Sequence, residues 1–146
     1  MKKFLTSIFA CLLVVFSLSF IACDLSHKHY TDNFGVCKSC NEDISILIDK
    51  DNGGRYVQKS FTLQLYTDTY LKFVSNGESQ LTIKVECPGS NIKSVILYSK
   101  TDDYIASTYN SENPILTCNE QLIAGNTYYI KIQSNNVATA KIIIEA

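Results

Sequence analysis

The sequence predicts an all-β fold, an antiparallel β-sandwich or jelly-roll of about seven to nine strands. Three observations carry that expectation. From residue 44 onward, apolar and polar residues alternate with period two in one run after another, the pattern of half-buried antiparallel strands. Turn-forming clusters separate the runs: Asp51-Asn52-Gly53-Gly54, Ser75-Asn76-Gly77, Pro88-Gly89-Ser90, Gly125-Asn126 and Asn135-Asn136. No helical periodicity follows the first two dozen residues. Composition agrees, because nine tyrosines and frequent Ile, Val and Thr favour a pleated surface. With 146 residues, 46 % of them hydrophobic, the chain suits one domain with an appendage.

In chain order, the first element is apolar. Lys2 and Lys3 precede nineteen uncharged residues, Phe4 to Ala22, rich in Leu, Val, Ile and Phe. This is the layout of an export signal, a helix cleaved after targeting. Ser17-Leu18-Ser19 would suit a general signal peptidase. Phe20-Ile21-Ala22-Cys23, however, resembles a bacterial lipobox. The resemblance implies cleavage before Cys23 and a diacylglycerol on its sulfur, hence a bacterial lipoprotein. Two acyl chains give stable anchoring where one gives only marginal binding. An uncleaved anchor and ordinary secretion are the competing readings. All three leave residues 24–146 outside the cytoplasm, because the lysines stay inside. The expected location is the bacterial cell envelope, lipid-anchored to a membrane, periplasmic or at the cell surface.

Removing residues 1–22 takes Lys2 and Lys3 and leaves 11 basic against 14 acidic side chains, with Arg55 the one arginine. A phosphate backbone needs a basic stripe, so nucleic acid is excluded as a partner class.

Residues 23–43 form the second element, a polar tether without core periodicity. Fully extended, its twenty-one residues would reach about 70 Å. It holds His27, His29, Cys37 and Cys40 in the spacing H-x-H-x7-C-x2-C. A C-x2-C turn lets two thiolates bind one ion, and two imidazoles would close a tetrahedral structural zinc site. Short Cys/His segments ending in Gly-x-Cys-x-x-Cys recur in bacterial surface proteins, and this stretch is similar to them. A Cys37–Cys40 disulfide, or two loose thiols in a plain tether, are the alternatives. A redox pair is disfavoured, because Asn41-Glu42-Asp43 and a strand follow where a redox motif opens a helix. Cysteine arithmetic supports the division: Cys11 leaves with the signal, Cys23 takes the lipid, and two pairs remain. The second pair, Cys87 and Cys118, is expected as a disulfide, with two buried thiols as its alternative.

The third element, residues 44–146, carries the strands. Phe61, Leu63 and Leu65 share one face; so do Leu71 and Phe73, and Leu81, Ile83 and Val85. Val95 and Leu97, then Tyr128, Ile130 and Ile132, then Ala140, Ile142 and Ile144 complete the expected core. Ala124-Gly125-Asn126-Thr127-Tyr128-Tyr129-Ile130-Lys131-Ile132, with Val95-Ile96-Leu97-Tyr98 and Ile105-Ala106, resembles the bacterial pre-peptidase C-terminal domain. That resemblance spans most of residues 56–145 and implies a non-catalytic appendage that aids binding, folding or secretion. Its calcium-binding acidic positions are replaced here by Tyr56-Val57-Gln58-Lys59 and Lys93-Ser94.

Asp49 and Asp51 begin like a calcium loop, but Ser60 stands where the bidentate Glu is needed, so the stretch reads as a hairpin turn. Asp102-Asp103 reads as a solvated turn, and calcium is not expected. No Ser-His-Asp set, paired-carboxylate cleft or phosphate loop can be assembled, so no catalytic residue is assigned and the protein is not expected to be an enzyme. Tyr66, Tyr70, Tyr98, Tyr104 and Tyr109 are expected at strand ends or in loops. They are ordinary strand tyrosines or anchors for a protein or glycan ligand. The expected function is a membrane-anchored, non-catalytic binding or adhesion module; the alternative is a structural or assembly accessory of an envelope complex.

Overall fold

The computed structural model describes residues 30–146. The signal, Cys23, His27 and His29 lie outside them. The chain divides after Tyr30, and Thr31–Ala146 forms one compact unit. Nine strands fill it: β1 (Ile46–Leu47), β2 (Tyr56–Leu63), β3 (Asp68–Val74), β4 (Leu81–Glu86), β5 (Ile92–Tyr98), β6 (Tyr104–Ser111), β7 (Ile115–Cys118), β8 (Thr127–Ser134) and β9 (Ala138–Glu145). The described residues contain no helix.

The strands form two sheets, a five-stranded one ordered β1-β3-β8-β5-β6 and a four-stranded one ordered β2-β9-β4-β7. All pairs between named strands are antiparallel except β1 with β3. The expected antiparallel β-sandwich is therefore the fold. Period-two alternation explains the packing: β8 buries every second residue along its whole length. Leu71, Phe73, Ile130 and Ile132 from the first sheet meet Leu63, Ile83, Val85, Ile142 and Ile144 from the second in one core. Each such side chain removed from water contributes roughly 1.5–3 kcal/mol. Phe73 packs between Tyr56, whose ring is tilted to it with centroids 5.0 Å apart, and Tyr128, stacked on it at 5.8 Å.

Two expectations need correction. Leu65 is 47 % exposed, because β2 ends at Leu63 and the chain turns there through Tyr66, at φ 51°. The Cys87–Cys118 disulfide is absent. Cys118 lies opposite Leu81 at the start of β4, whereas Cys87 follows the end of that strand. Six residues of strand separate them, about 20 Å, far beyond the Cα separation that a disulfide spans. Each buried thiol instead points at a backbone carbonyl, Cys87 at Thr139 and Cys118 at Glu120. Where a tether was expected to run up to residue 43, the compact unit already begins at Thr31.

The turn expected at 49–54 is as read. Asp51 accepts the N–H groups of Gly53 (2.8 Å) and Arg55 (3.0 Å) and pairs with the Arg55 guanidinium. Its side chain is thus used within the turn.

Candidate functional site

The outer face of the five-stranded sheet is built from the residues that alternate against the core. Register places them in rows across the strands. Lys72, Tyr129, Tyr98 and Tyr104 form one row across β3, β8, β5 and β6. Tyr70, Lys131, Ile96 and Ser107 form the next, and Asp68, Gln133, Ser94 and Tyr109 the third. Tyrosines on neighbouring strands in the same row stand close enough to pack against one another.

The β3–β8 half of this face is covered by residues 31–43. Asp32 accepts the N–H groups of Phe34 (2.8 Å) and Val36 (3.0 Å), closing a tight turn. Isolated bridges pair Thr31 with Cys37 and Val36 with Asp43, so the chain doubles back twice. Gly35 sits at φ 83°, and a Cβ there would lie 2.7 Å from the Tyr70 Cβ. Only glycine allows that backbone to lie so close to the ring. Phe34 packs on Tyr129, centroids 4.7 Å apart. The Thr31 hydroxyl donates to the Tyr70 oxygen at 2.7 Å, and Tyr70 donates on to Asp68 at 3.3 Å. Lys131 pairs with Asp68 at 3.1 Å and donates to Asn33 at 3.4 Å, while the Asn33 amide reaches Asp102 at 2.9 Å. Lys72 pairs with Asp43.

These contacts set the local electrostatics. Burial raises the Tyr70 phenol above its ordinary value, and the Thr31 hydrogen bond offsets this only in part. Burial alone would lower Lys131, but the Asp68 carboxylate outweighs it and holds the ammonium above the ordinary lysine range. Asp43 is likewise pushed up by burial, and the Lys72 ammonium and Ser45 outweigh that to hold its carboxyl low. The covered half is a neutralised, hydrogen-bonded seam.

The β5–β6 half stays open. Tyr104 and Tyr109 are 59 % and 58 % exposed, and Tyr98 beside Tyr104 is half-buried. The hydroxyls of Tyr104 and Ser107 are 2.8 Å apart, which fixes one ring against its own strand. β6 is an edge strand, so a ligand meeting these rings also meets backbone groups. Of the five tyrosines singled out in the sequence, Tyr98 and Tyr104 stand opposite each other in one row, and Tyr109 lies two rows along β6 on the same face. Tyr70 is buried under the 31–43 segment, and Tyr66 lies in the turn after β2. The docking residues Thr31, Asn33 and Phe34 were missed. The Asp-Asn-Phe-Gly turn signal was present in the sequence, but its partners lie far along the chain.

Cys37 is buried and Cys40 exposed, and the two thiols hydrogen-bond to each other. Among the described residues, no group of three or more His, Cys, Asp and Glu side chains is arranged to hold a metal ion. The two histidines of the chain lie outside those residues, as does Cys23.

No protein-family model matches the chain, and no curated protein matches it significantly. Several solved structures are similar to it. A Yersinia pseudotuberculosis-derived mitogen has 12 % identity and a TM-score of 0.49, with 63 % of this chain and 85 % of that one covered. The pre-peptidase C-terminal domain of collagenase from Bacillus anthracis has 15 % identity and a TM-score of 0.48, with 69 % and 94 % covered. The Salmonella Typhimurium periplasmic inhibitor of g-type lysozyme has 14 % identity and a TM-score of 0.45, with 69 % and 96 % covered. Likeness at this level transfers neither activity nor partner.

Proposed function

We propose that the chain is a lipid-anchored, extracytoplasmic binding module that works without catalysis and takes a protein or glycan ligand on the open half of its five-stranded sheet. The observation that carries this is the outward strip of Tyr98, Tyr104 and Tyr109 beside the free edge of β6. Tyrosine supplies a large, stiff contact area with a polar tip, which suits both sugar stacking and protein contact. The neighbouring half of the sheet is already occupied by the chain's own residues 31–43, so the tyrosine strip is the part left for a partner. The signal layout and Ile21-Ala22-Cys23 support the anchor.

The test compares the wild-type chain with Tyr104→Ser/Tyr109→Ser on glycan arrays and in capture from envelope extracts. Both rings are exposed, so the double variant should melt within a few degrees of wild type. Loss of captured ligand, by tenfold or more, supports the binding surface. Absence of any ligand for the wild-type chain across both screens would favour the accessory role in an envelope assembly.

A further inference from the structure

The outer edge of β6 offers more than its tyrosines. β6 pairs with β5 alone and ends the five-stranded sheet. In an antiparallel strand, every second residue turns both its N–H and its C=O to one side. One such set meets β5; among the described residues, no strand meets the other. Proteins guard such edges with short strands, charge, proline or a bulge. The other three edges follow that rule: β1 has two residues, β7 has four, and β2 is broken by a register shift between Gln58 and Phe61. β6 has eight residues, none charged and none proline. Its irregularities lie near its ends. Tyr98 faces Tyr104 and Leu97 faces Ala106, so Ile105 is an extra residue at the start, and Asn110 turns the chain at φ 51°. Between them, residues 106–109 pair one for one with β5 and leave a regular free edge about 13 Å long.

The side chains along that edge define what would pair with it. Ala106 and Thr108 stand opposite the buried Leu97 and Val95 and so point inward, while Ser107 and Tyr109 point outward. Ile105 and Ala106 pack against the core but are only half-buried, because the sheet stops beside them. A further strand with apolar side chains on its inner face would complete that burial, and its outer face would lie against the exposed Tyr104 and Tyr109. A sugar can stack on the rings, but the alternating donors and acceptors of the edge match another extended backbone. A second copy of this chain fits less well. Paired antiparallel about Ser107, the two copies would share regular strand over residues 106–108 only. That register would also carry Asp102 and Asp103 toward the other copy's Glu112, at both ends of the pair.

We propose that the partner is an extended peptide segment, apolar at alternate positions, that adds to β6 as a sixth strand and sets its outer side chains against Tyr104 and Tyr109. This rests on the reading of the tyrosine face as the binding surface and specifies how the partner meets it. Backbone hydrogen bonds supply affinity, and the half-buried Ile105 and Ala106 on one face and the tyrosines on the other select side chains.

The full chain in detergent, panned against a displayed library of random ten-residue linear peptides, tests this. The expected binders carry apolar residues at alternate positions and slow amide exchange at residues 106–109. N-methylation of alternate amides in such a peptide should weaken binding at least tenfold, and methylation of the amides between them should not. Thr108→Lys sets a charge on the inner side of the edge, where it reaches water only while no strand is added. That variant should melt within a few degrees of wild type and bind the peptides at least tenfold more weakly. The methylation arm changes only the peptide, so it decides the matter even if the variant misfolds. No peptide enriched over the Thr108→Lys chain, or binders indifferent to methylation, would overturn strand addition. A glycan held through Tyr104 and Tyr109, with no effect of Thr108→Lys, would overturn it while leaving the binding surface standing. A dimer of the full chain that Thr108→Lys dissociates would overturn it in favour of a second copy.

Discussion

Gly35 couples two parts of the fold through one missing methyl group. Its φ of 83° and the 2.7 Å approach to Tyr70 both exclude a side chain. Gly35→Ala should destabilise the protein by about 1–3 kcal/mol, read by chemical denaturation, with the added hydrogen exchange confined to residues 31–43. Glu78 makes a second local argument. Its side chain is only 6 % exposed, and it lies 3.6 Å from Lys50. Burial pushes its carboxyl up, but hydrogen bonds from Ser75, the Asn76 N–H and Tyr56 outweigh that and hold it below the ordinary glutamate value. A carboxyl depressed in the folded state stabilises above its unfolded pKa, about 4.3, and the contribution is lost as pH falls through the lower folded value. The stability gap between wild type and Glu78→Gln should therefore narrow as pH drops below about 4, measured by urea denaturation across that window. A gap independent of pH would mean that the charge on Glu78 contributes nothing.

Elements were legible in the sequence to the extent that their cause is local. β4, β8 and β9 announce themselves because alternation is written within each strand, and their inward residues Ile83, Ile130 and Ile142 are fully buried. Register is not local. Nothing near Cys87 or Cys118 says that β7 pairs with β4 so as to put Cys118 at the far end of the strand. Both cysteines should therefore react with a thiol reagent in denatured, unreduced protein, and the mass of labelled peptides checks this. The candidate site divides in the same way. Tyr98, Tyr104 and Tyr109 could be singled out one by one, but the row that Tyr98 shares with Tyr104, and the place of Tyr109 two rows along on the same face, needed the sheet order. The docked segment 31–43 was read as tether because its stabilising contacts, with Tyr70, Tyr129 and Lys131, are 30 to 100 residues away in sequence. A chain that starts at residue 44 loses that cover and exposes Tyr70 and the Asp68–Lys131 pair. It should melt several degrees below one that starts at residue 24, since about 1 kcal/mol shifts a domain of this size by roughly 4–8 °C.

For the whole molecule, the docked segment would shorten the connection that the proposed anchor at Cys23 makes to a membrane. A lipid on Cys23 would leave eight residue steps to Thr31, about 28 Å at full stretch, where an undocked tether to residue 43 would allow about 70 Å. The proposed module would then work close to the bilayer, and a partner for the tyrosine strip must be reachable there. The claim on which this rests is the anchor at Cys23. Intact-mass measurement of the full chain, expressed in a bacterial host and extracted from its membranes, tests it most directly. The account predicts a chain that begins at Cys23, carries a diacylglycerol with or without a third acyl chain, and lacks the two-hydrogen mass loss of a Cys87–Cys118 bridge. A mass that begins at Met1 or at Phe20, without lipid, would contradict it.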